Sequence, residues 1–288
     1  MGRADKRLKP HSRARYLLCS DLDRTLVPNG PQAESPGARE MLCAMVEHHA
    51  ICVVYVTGRN RALVEQAVAD YGLPWPDAVI GDVGTRIWST FDRRWAPWSQ
   101  WDDLIRMDWG EQTLAAITAR AEDMEALQAQ PPDCQTEYKL SYFCSAAELQ
   151  ETATLLRQRL GQDRVPAAVI ASLDEVNDQG LIDVLPERAT KRGAIEMVMS
   201  AWGFPHWATV CAGDSGNDLP FLTSALQAVL VANAADDVRE QALKLAQAQG
   251  QIDNLYLALG GVHGMNGNYA GGVVEGFAHY VPEARQWL

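Results

Sequence analysis

Six consecutive apolar residues, Ile51-Cys52-Val53-Val54-Tyr55-Val56, set the tightest limit on how this chain folds. Successive side chains of a strand point to opposite faces, so a run without a polar residue is a strand covered on both sides. Such a strand belongs in the middle of a parallel sheet packed between helices. Two more runs share its texture: Tyr16-Leu17-Leu18-Cys19-Ser20, and Ala208-Thr209-Val210-Cys211-Ala212. Both are too short for an ordinary helix. Met41, Leu42, Met45 and Val46 fall at helical spacing before residue 51. Leu63, Val64, Ala67, Val68 and Tyr71 do so after residue 56, with Gly72 as the stop. Ala78-Val79-Ile80 adds a third strand. Strand, helix, strand, helix, strand within the first 80 residues defines an α/β, doubly wound, mostly parallel core.

The texture changes near residue 83. Thr85-Arg86-Ile87-Trp88-Ser89 alternates, Asp92-Arg93-Arg94 reads as a turn, and Trp95, Trp98 and Trp101 follow. The spacing of the three rings fits an anchor at a hinge or in a core better than a stack for a sugar. Residues 111–128 read as an amphipathic helix. Glu137 to Cys144 alternates like an antiparallel strand, and Ser145-Ala146-Ala147-Glu148 has the form of a capping box. Val165 to Ser172, then Asp174–Gly180, then Leu181 to Leu185 read as strand, turn and strand. The pattern is that of an α+β cap domain, residues 90–186, inserted into a Rossmann-like core of residues 1–89 and 187–288. The core resumes with a helix capped by Thr190 and stopped by Gly203, the strand at 208–212 and another at Ala228–Ala232. Helices over 234–249 and 269–280 complete it.

The chain has 288 residues and a net charge of −12. That balance opposes a nucleic-acid-binding role and means that an anionic substrate must be drawn in by local positive charge. Residues 1–15 are the exception, with Arg3, Lys6, Arg7, Lys9, Arg13 and Arg15, and read as a solvated, disordered basic arm. The apolar run behind the arm reaches Asp21 after a few residues, so no secretion signal and no membrane span are expected. The six cysteines are scattered, form no CxxC pair and lie mostly in apolar runs, as in reduced cytoplasmic proteins. The histidines, including the adjacent His48 and His49, show no metal-ligand spacing.

Chemistry collects where the strands stop. Asp21-Leu22-Asp23-Arg24-Thr25 ends the first run, Thr57-Gly58-Arg59 the second, and Gly213-Asp214-Ser215-Gly216-Asn217-Asp218 the third. In an open α/β sheet these carboxyl ends share one edge, where ligands bind. Like charges ~4 Å apart repel by roughly 4 kcal/mol at an effective dielectric of 20, so so many carboxylates there call for a cation. Lys191 supplies one, at the positive end of a helix dipole where a structural Lys is out of place. An anion held jointly by Lys191 and the dipole explains it; a solvated Lys on a frayed end is the plainer alternative. Asp214 and Asp218 are hard oxygen ligands of the kind Mg²⁺ takes, although the same residues serve equally well to cap a helix.

These four pieces, in this order, resemble the haloacid dehalogenase superfamily in its phosphatase branch. Asp21-Leu22-Asp23-Arg24-Thr25 matches the first motif, Thr57 the second, Lys191 the third and the Gly213–Asp218 loop the fourth. Ser20-Asp21-Leu22-Asp23, Lys139-Leu140-Ser141-Tyr142, Asp183-Val184-Leu185-Pro186, Cys211–Asp218 and Tyr269-Ala270-Gly271-Gly272 are similar to sucrose-6-phosphate phosphatases, a likeness that covers most of residues 16–282. The resemblance implies a Mg²⁺-dependent phosphatase acting on a sugar phosphate. Asp21 is then the nucleophile and Asp23 the general acid and base. Thr57, Gly58, Lys191 and Asn217 hold the phosphoryl group, and Asp21, the Asp23 carbonyl, Asp214 and, through water, Asp218 hold the metal. On the cap, Lys139 and Tyr142 are the candidates to meet sugar hydroxyls, with a solvated strand lysine and a core aromatic as the alternatives; Arg24 and Arg86 are candidates to line the cleft. Phosphates of mannosylfructose, glucosylglycerol and trehalose are the rival substrates. A second class is a non-catalytic, phosphatase-like partner of a sugar-phosphate synthase. The presence of Asp21, Asp23, Lys191 and Asp214 argues against it.

Overall fold

The fold is that of a computed structural model, which describes residues 14–288 apart from His49, Gly110, Glu175 and Val176. The arm residues Arg3, Lys6, Arg7, Lys9 and Arg13 lie outside the described residues, as does His49. In chain order the core begins with β1 (Tyr16–Ser20), α1 (Ala38–Glu47), β2 (Ile51–Val56), α2 (Arg61–Tyr71), β3 (Ala78–Gly81), β4 (Arg86–Ser89) and β5 (Ala96–Pro97). The intervening segment holds α3 (Ser99–Arg106), α4 (Glu111–Glu122), β6 (Gln128–Ala129), β7 (Leu140–Ser145), α5 (Leu149–Gln162), β8 (Ala167–Asp174) and β9 (Gln179–Pro186). The core then resumes with α6 (Lys191–Trp202), β10 (Thr209–Gly213), α7 (Leu219–Leu222), β11 (Gln227–Leu230), α8 (Asp236–Ala248), β12 (Leu255–Leu257) and α9 (Tyr269–Tyr280).

The larger sheet has the order β12-β11-β10-β1-β2-β3-β4-β5, parallel up to β3 and antiparallel beyond it. Its alternating side chains separate into two buried layers. Leu18, Val53, Tyr55, Val79 and Val210 pack under α1, α2 and α9, while Leu17, Cys52, Val54, Val56 and Ile80 pack under α6, α7 and α8. Two covered faces are the reason that β2 reads as unbroken apolar sequence. Gly72 and Gly203 end α2 and α6 in the left-handed region, at φ 62° and 76°.

The smaller sheet, β6-β7-β9-β8, is antiparallel. Tyr142, Cys144, Val169, Ile182 and Val184 share a face with Ile117, Ala121, Ala153, Leu156 and Leu160 of α4 and α5. Several sequence expectations are corrected here. The larger sheet runs past residue 89, because the chain turns tightly at 91–93 and Ala96–Pro97 returns against Trp88–Ser89. Helix α4 ends at Glu122 rather than 128, and the strand expected from Glu137 starts at Leu140, because residues 136–139 close a turn. Ser145 makes no side-chain cap, since a single tight turn separates it from α5. The capping box forms instead at Ser215 and Asp218.

The aromatic residues after β4 pack onto the core, where Trp98 stacks on Trp202 of α6. Trp98 and Trp101 are buried, and the Trp101 indole N–H donates to the Gly84 carbonyl oxygen at 3.0 Å. Gly84 sits at φ 110°, and a Cβ there would lie 2.4 Å from the Thr190 carbonyl carbon, so only glycine fits. Through that contact the linker into the cap rests on the first turn of α6, the turn that carries Lys191. Among the described residues no helix is long and apolar enough to cross a membrane.

Candidate active site

The register of the parallel strands brings the motifs to one rim. Ser20 pairs with Ala212 on one side and Tyr55 on the other, so Asp21, Thr57 and Asp214 follow the ends of three adjacent strands. The Asp21 amide extends the ladder by donating to the Ala212 carbonyl oxygen, and the Thr57 amide donates to that of Ile80. Lys191 enters from α6, whose start is fixed by the Thr190 hydroxyl accepting from the Gly193 amide.

The centre of the site is a buried ion network. Lys191 Nζ lies 3.1 Å from Asp21 Oδ2 and donates to Asp218 Oδ1 at 2.8 Å and Asn217 Oδ1 at 2.9 Å. Lys191 and Asp21 are almost fully buried, and Asp218 is completely so. The second Asp218 oxygen accepts from the amides of Asp214 and Ser215, folding the Gly213–Asp218 loop around its own carboxylate. Thr25 donates its hydroxyl to Asp214 Oδ1 at 3.0 Å, and Arg24 Nε lies 3.5 Å from Asp214 Oδ2. One oxygen each from Asp21, Asp214 and Asp218 fall within 4.8 Å of one another.

Charge and burial oppose each other here. Burial pushes Asp21 well above the usual carboxylate range, with Lys191 pulling against it and the neighbouring carboxylates adding to the rise. Asp214 is pushed up to about 7, by burial first and then by Asp218. Burial alone would lower Lys191, but Asp21 and Asp218 hold it above its ordinary value. The Lys191 ammonium and the Arg24 guanidinium beside three converging carboxylates still leave an excess of negative charge, and hard carboxylate oxygens are what a small divalent cation takes. The donor set of Asp21, Asp214 and Asp218 therefore fits a small divalent cation.

Asp23 stands at the same rim, in the grip of Arg59. Arg59 Nε donates to one Asp23 oxygen at 2.8 Å and Nη2 to the other at 2.7 Å, while Asn29 adds a bond of 2.7 Å. Burial raises Asp23, but the Arg59 fork outweighs it and holds the carboxyl below the usual range. The Thr57 hydroxyl accepts from the Arg59 amide at 3.1 Å and donates to no described residue. An added Cβ at Gly58 would meet only Val83 Cγ2, at an ordinary contact distance of 3.8 Å.

The cap candidates part company. Lys139 is buried and forms no side-chain hydrogen bond or ion pair among the described residues, while its charge reaches Asp82 on the core and Asp183 on β9. Ser141, which donates to Asp183, shares that side of β7. Tyr142 lies on the opposite face, under α4 and α5, so the structure packs its ring away from Asp82 and Asp183. Arg86 pairs with Asp102 and Glu137 across the linker and stacks on Tyr138. Asn29, Asn233, Asp82 and Asp183 were not singled out as site residues from the sequence. Asn233 and Asp82 each follow a strand end, so the rule that places ligands at that edge marks them too.

A buried carboxylate paired with a lysine at the carboxyl edge of a Rossmann-like sheet, with a separate antiparallel sheet inserted in the chain, is the arrangement of a phosphatase of the haloacid dehalogenase type. Residues 14–281 match the family described as sucrose-6F-phosphate phosphohydrolase, and the chain belongs to it. The chain is 45% identical over 275 residues to a haloacid dehalogenase-like hydrolase of Nitrosococcus oceani, covering 95% of this chain and 74% of that one. It is 25% identical over 266 residues to a glucosylglycerol-phosphate synthase of Pseudomonas anguilliseptica, covering 92% of this chain but 30% of that longer protein. Among solved structures, the sucrose-phosphatase of Synechocystis in complex with sucrose and phosphate superposes with a TM-score of 0.76 at 25% identity, over 93% of this chain and 98% of that one. A haloacid dehalogenase-like hydrolase of Bacillus subtilis shares the fold, with a TM-score of 0.63 at 12% identity over 93% of each chain.

Proposed function

We propose that the chain is a Mg²⁺-dependent phosphatase that hydrolyses sucrose 6-phosphate to sucrose and phosphate through an aspartyl-phosphate on Asp21. The observation that carries this reading is the 3.1 Å contact between Asp21 and Lys191 beside Asp214, a nucleophile and two charge-bearing partners at one rim. Asp21 attacks phosphorus and the sugar oxygen leaves with a proton from Asp23, which must first take up that proton against the pull of the Arg59 fork. Water then attacks the same phosphorus after giving its proton to Asp23, and Asp21 is released as the carboxylate. Lys191, the Thr57 hydroxyl and the Gly58 amide hold the phosphoryl oxygens, and Asn217 keeps Lys191 in place. Asp21, Asp214 and the Asp23 carbonyl would hold Mg²⁺, with Asp218 reaching it through water. When bound, the metal neutralises charge on the phosphoryl group.

Substrate choice falls to the inserted unit, read from the sequence as residues 90–186 and shortened at its start by the core strand Ala96–Pro97, acting as a cap over the core. Lys139, buried with no side-chain hydrogen bond or ion pair among the described residues and with its charge felt by Asp82 and Asp183, is the side chain proposed to meet sugar hydroxyls. The printed activity of the Synechocystis structure favours sucrose 6-phosphate. The likeness to a glucosylglycerol-phosphate synthase favours a second reading, glucosylglycerol phosphate. The scattered cysteines, none in a CxxC pair, support action in the cytoplasm.

Phosphate release from a panel of sucrose, glucosylglycerol, mannosylfructose, trehalose and glucose phosphates tests the reading. Sucrose 6-phosphate is expected to have the highest kcat/KM. Equal turnover of glucose 6-phosphate removes the disaccharide assignment. Absence of phosphate release from every member, with capture of a synthase, returns the non-catalytic partner role.

A further inference from the structure

Arg24 is held in an unusual way. Its backbone lies at φ 58°, a region that non-glycine residues rarely occupy. Its amide donates to Asn29 Oδ1 at 2.9 Å, and its carbonyl oxygen accepts from Asn233 Nδ2 at 2.7 Å. Asn233 is fixed in turn, because its Oδ1 accepts from the Tyr269 amide at the start of α9. The Arg24 guanidinium donates to the Asn233 carbonyl oxygen at 3.3 Å and brings Nε to 3.5 Å from Asp214 Oδ2. Two distant segments thus converge to keep one fixed positive charge against a buried carboxylate that the metal reading makes a ligand.

We infer that Arg24 is the resident counter-ion of the cation site and sets the divalent-cation concentration at which the site loads. The inference rests on the metal reading above. Asp214 has the guanidinium near one oxygen and the Thr25 hydroxyl on the other, so both oxygens have a partner within the protein. A dication at Asp21 and Asp214 meets that fixed charge at the same carboxylate. Like charges at such separations repel strongly even at a high effective dielectric. Arg24 therefore weakens metal binding while stabilising the metal-free form, and neutralising it reverses both effects.

Calorimetric titration of MgCl₂ alone into metal-free wild type, Arg24→Gln and Arg24→Lys tests this, with melting temperatures measured in parallel. Arg24→Gln is expected to bind Mg²⁺ about tenfold more tightly than wild type, equivalent to ~1.4 kcal/mol. It should also melt lower than wild type without metal and regain the difference as Mg²⁺ is added. Arg24→Lys keeps the charge and should bind near the wild-type value. Asn233→Ala, which frees the Arg24 backbone, should shift affinity the same way by less, and serves if Arg24→Gln does not fold. Equal or weaker Mg²⁺ binding in Arg24→Gln, or an unshifted affinity in Asn233→Ala when it stands in, overturns the role of Arg24 alone. Absence of Mg²⁺ binding by wild type, in heat and in melting temperature, overturns the metal reading and this inference with it.

Discussion

Lys191 Nζ lies 3.1 Å from Asp21 Oδ2 and 2.8 Å from Asp218 Oδ1, so one buried ammonium is shared by two buried carboxylates. Removing one partner of a buried ion pair strands the other charge, at a cost of about 3–5 kcal/mol. Lys191→Met should therefore lose both turnover and that much stability. Adding Asp21→Asn to Lys191→Met should restore part of the stability and none of the turnover. Additive losses of stability in this double-mutant cycle would show that the two residues do not interact.

The Arg59 fork on Asp23 predicts a leaving-group dependence. Arg59→Ala should lower kcat on a sugar phosphate by about 10- to 100-fold, because Asp23, the proposed acid, is no longer oriented. p-Nitrophenyl phosphate, whose leaving group departs without a proton, should be nearly unaffected. Equal losses on both substrates would assign Arg59 to phosphate binding or to the fold.

Asp214 gives a pH dependence with a definite sign. Burial and Asp218 raise its carboxyl from 3.8 to about 7, so within that window the folded protein binds the proton more tightly than the unfolded chain. Stability falls as pH rises through the window, and the cost is complete above it. In the absence of metal, Asp214→Asn should melt above wild type at about pH 8, with the advantage gone by about pH 4. A variant that melts below wild type at the higher pH contradicts the charge account of this loop.

The cap makes a paired prediction. Lys139→Ala should raise KM for the disaccharide phosphate and lower kcat/KM by roughly 10- to 100-fold, as expected for a lost charged hydrogen bond. p-Nitrophenyl phosphate hydrolysis should be unchanged. Tyr142→Phe should behave as wild type on both substrates, because its ring is packed under α4 and α5.

Residues with one local job were legible in the sequence. Gly72, Gly203 and Thr190 end or begin helices as expected, and the unbroken run at 51–56 is the strand β2 between two covered faces. Asp21, Lys191 and Asp214 were legible as a group because strand ends in a parallel sheet share an edge. What escaped depends on tertiary contact. Ser145 has the capping-box pattern, but the turn at 146–148 removes it from the helix start, and the box forms at Ser215. Asn233 follows a strand end, but its contacts with Arg24 and Tyr269 come only from the fold, and Asn29 folds back on Asp23 and Arg24 within its own loop. The strand β12, three residues long, is held by its pairing with β11 rather than by its own sequence.

Rapid acid quench of the protein mixed with ³²P-labelled sucrose 6-phosphate and Mg²⁺ tests the nucleophile directly. Label recovered on the peptide that contains Asp21, and absent in Asp21→Asn, is the expected result, with the variant folded and slower by at least about a thousandfold. Phosphate released at the wild-type rate by Asp21→Asn, or label trapped on a different residue, would contradict the assignment of Asp21 and the chemistry built on it.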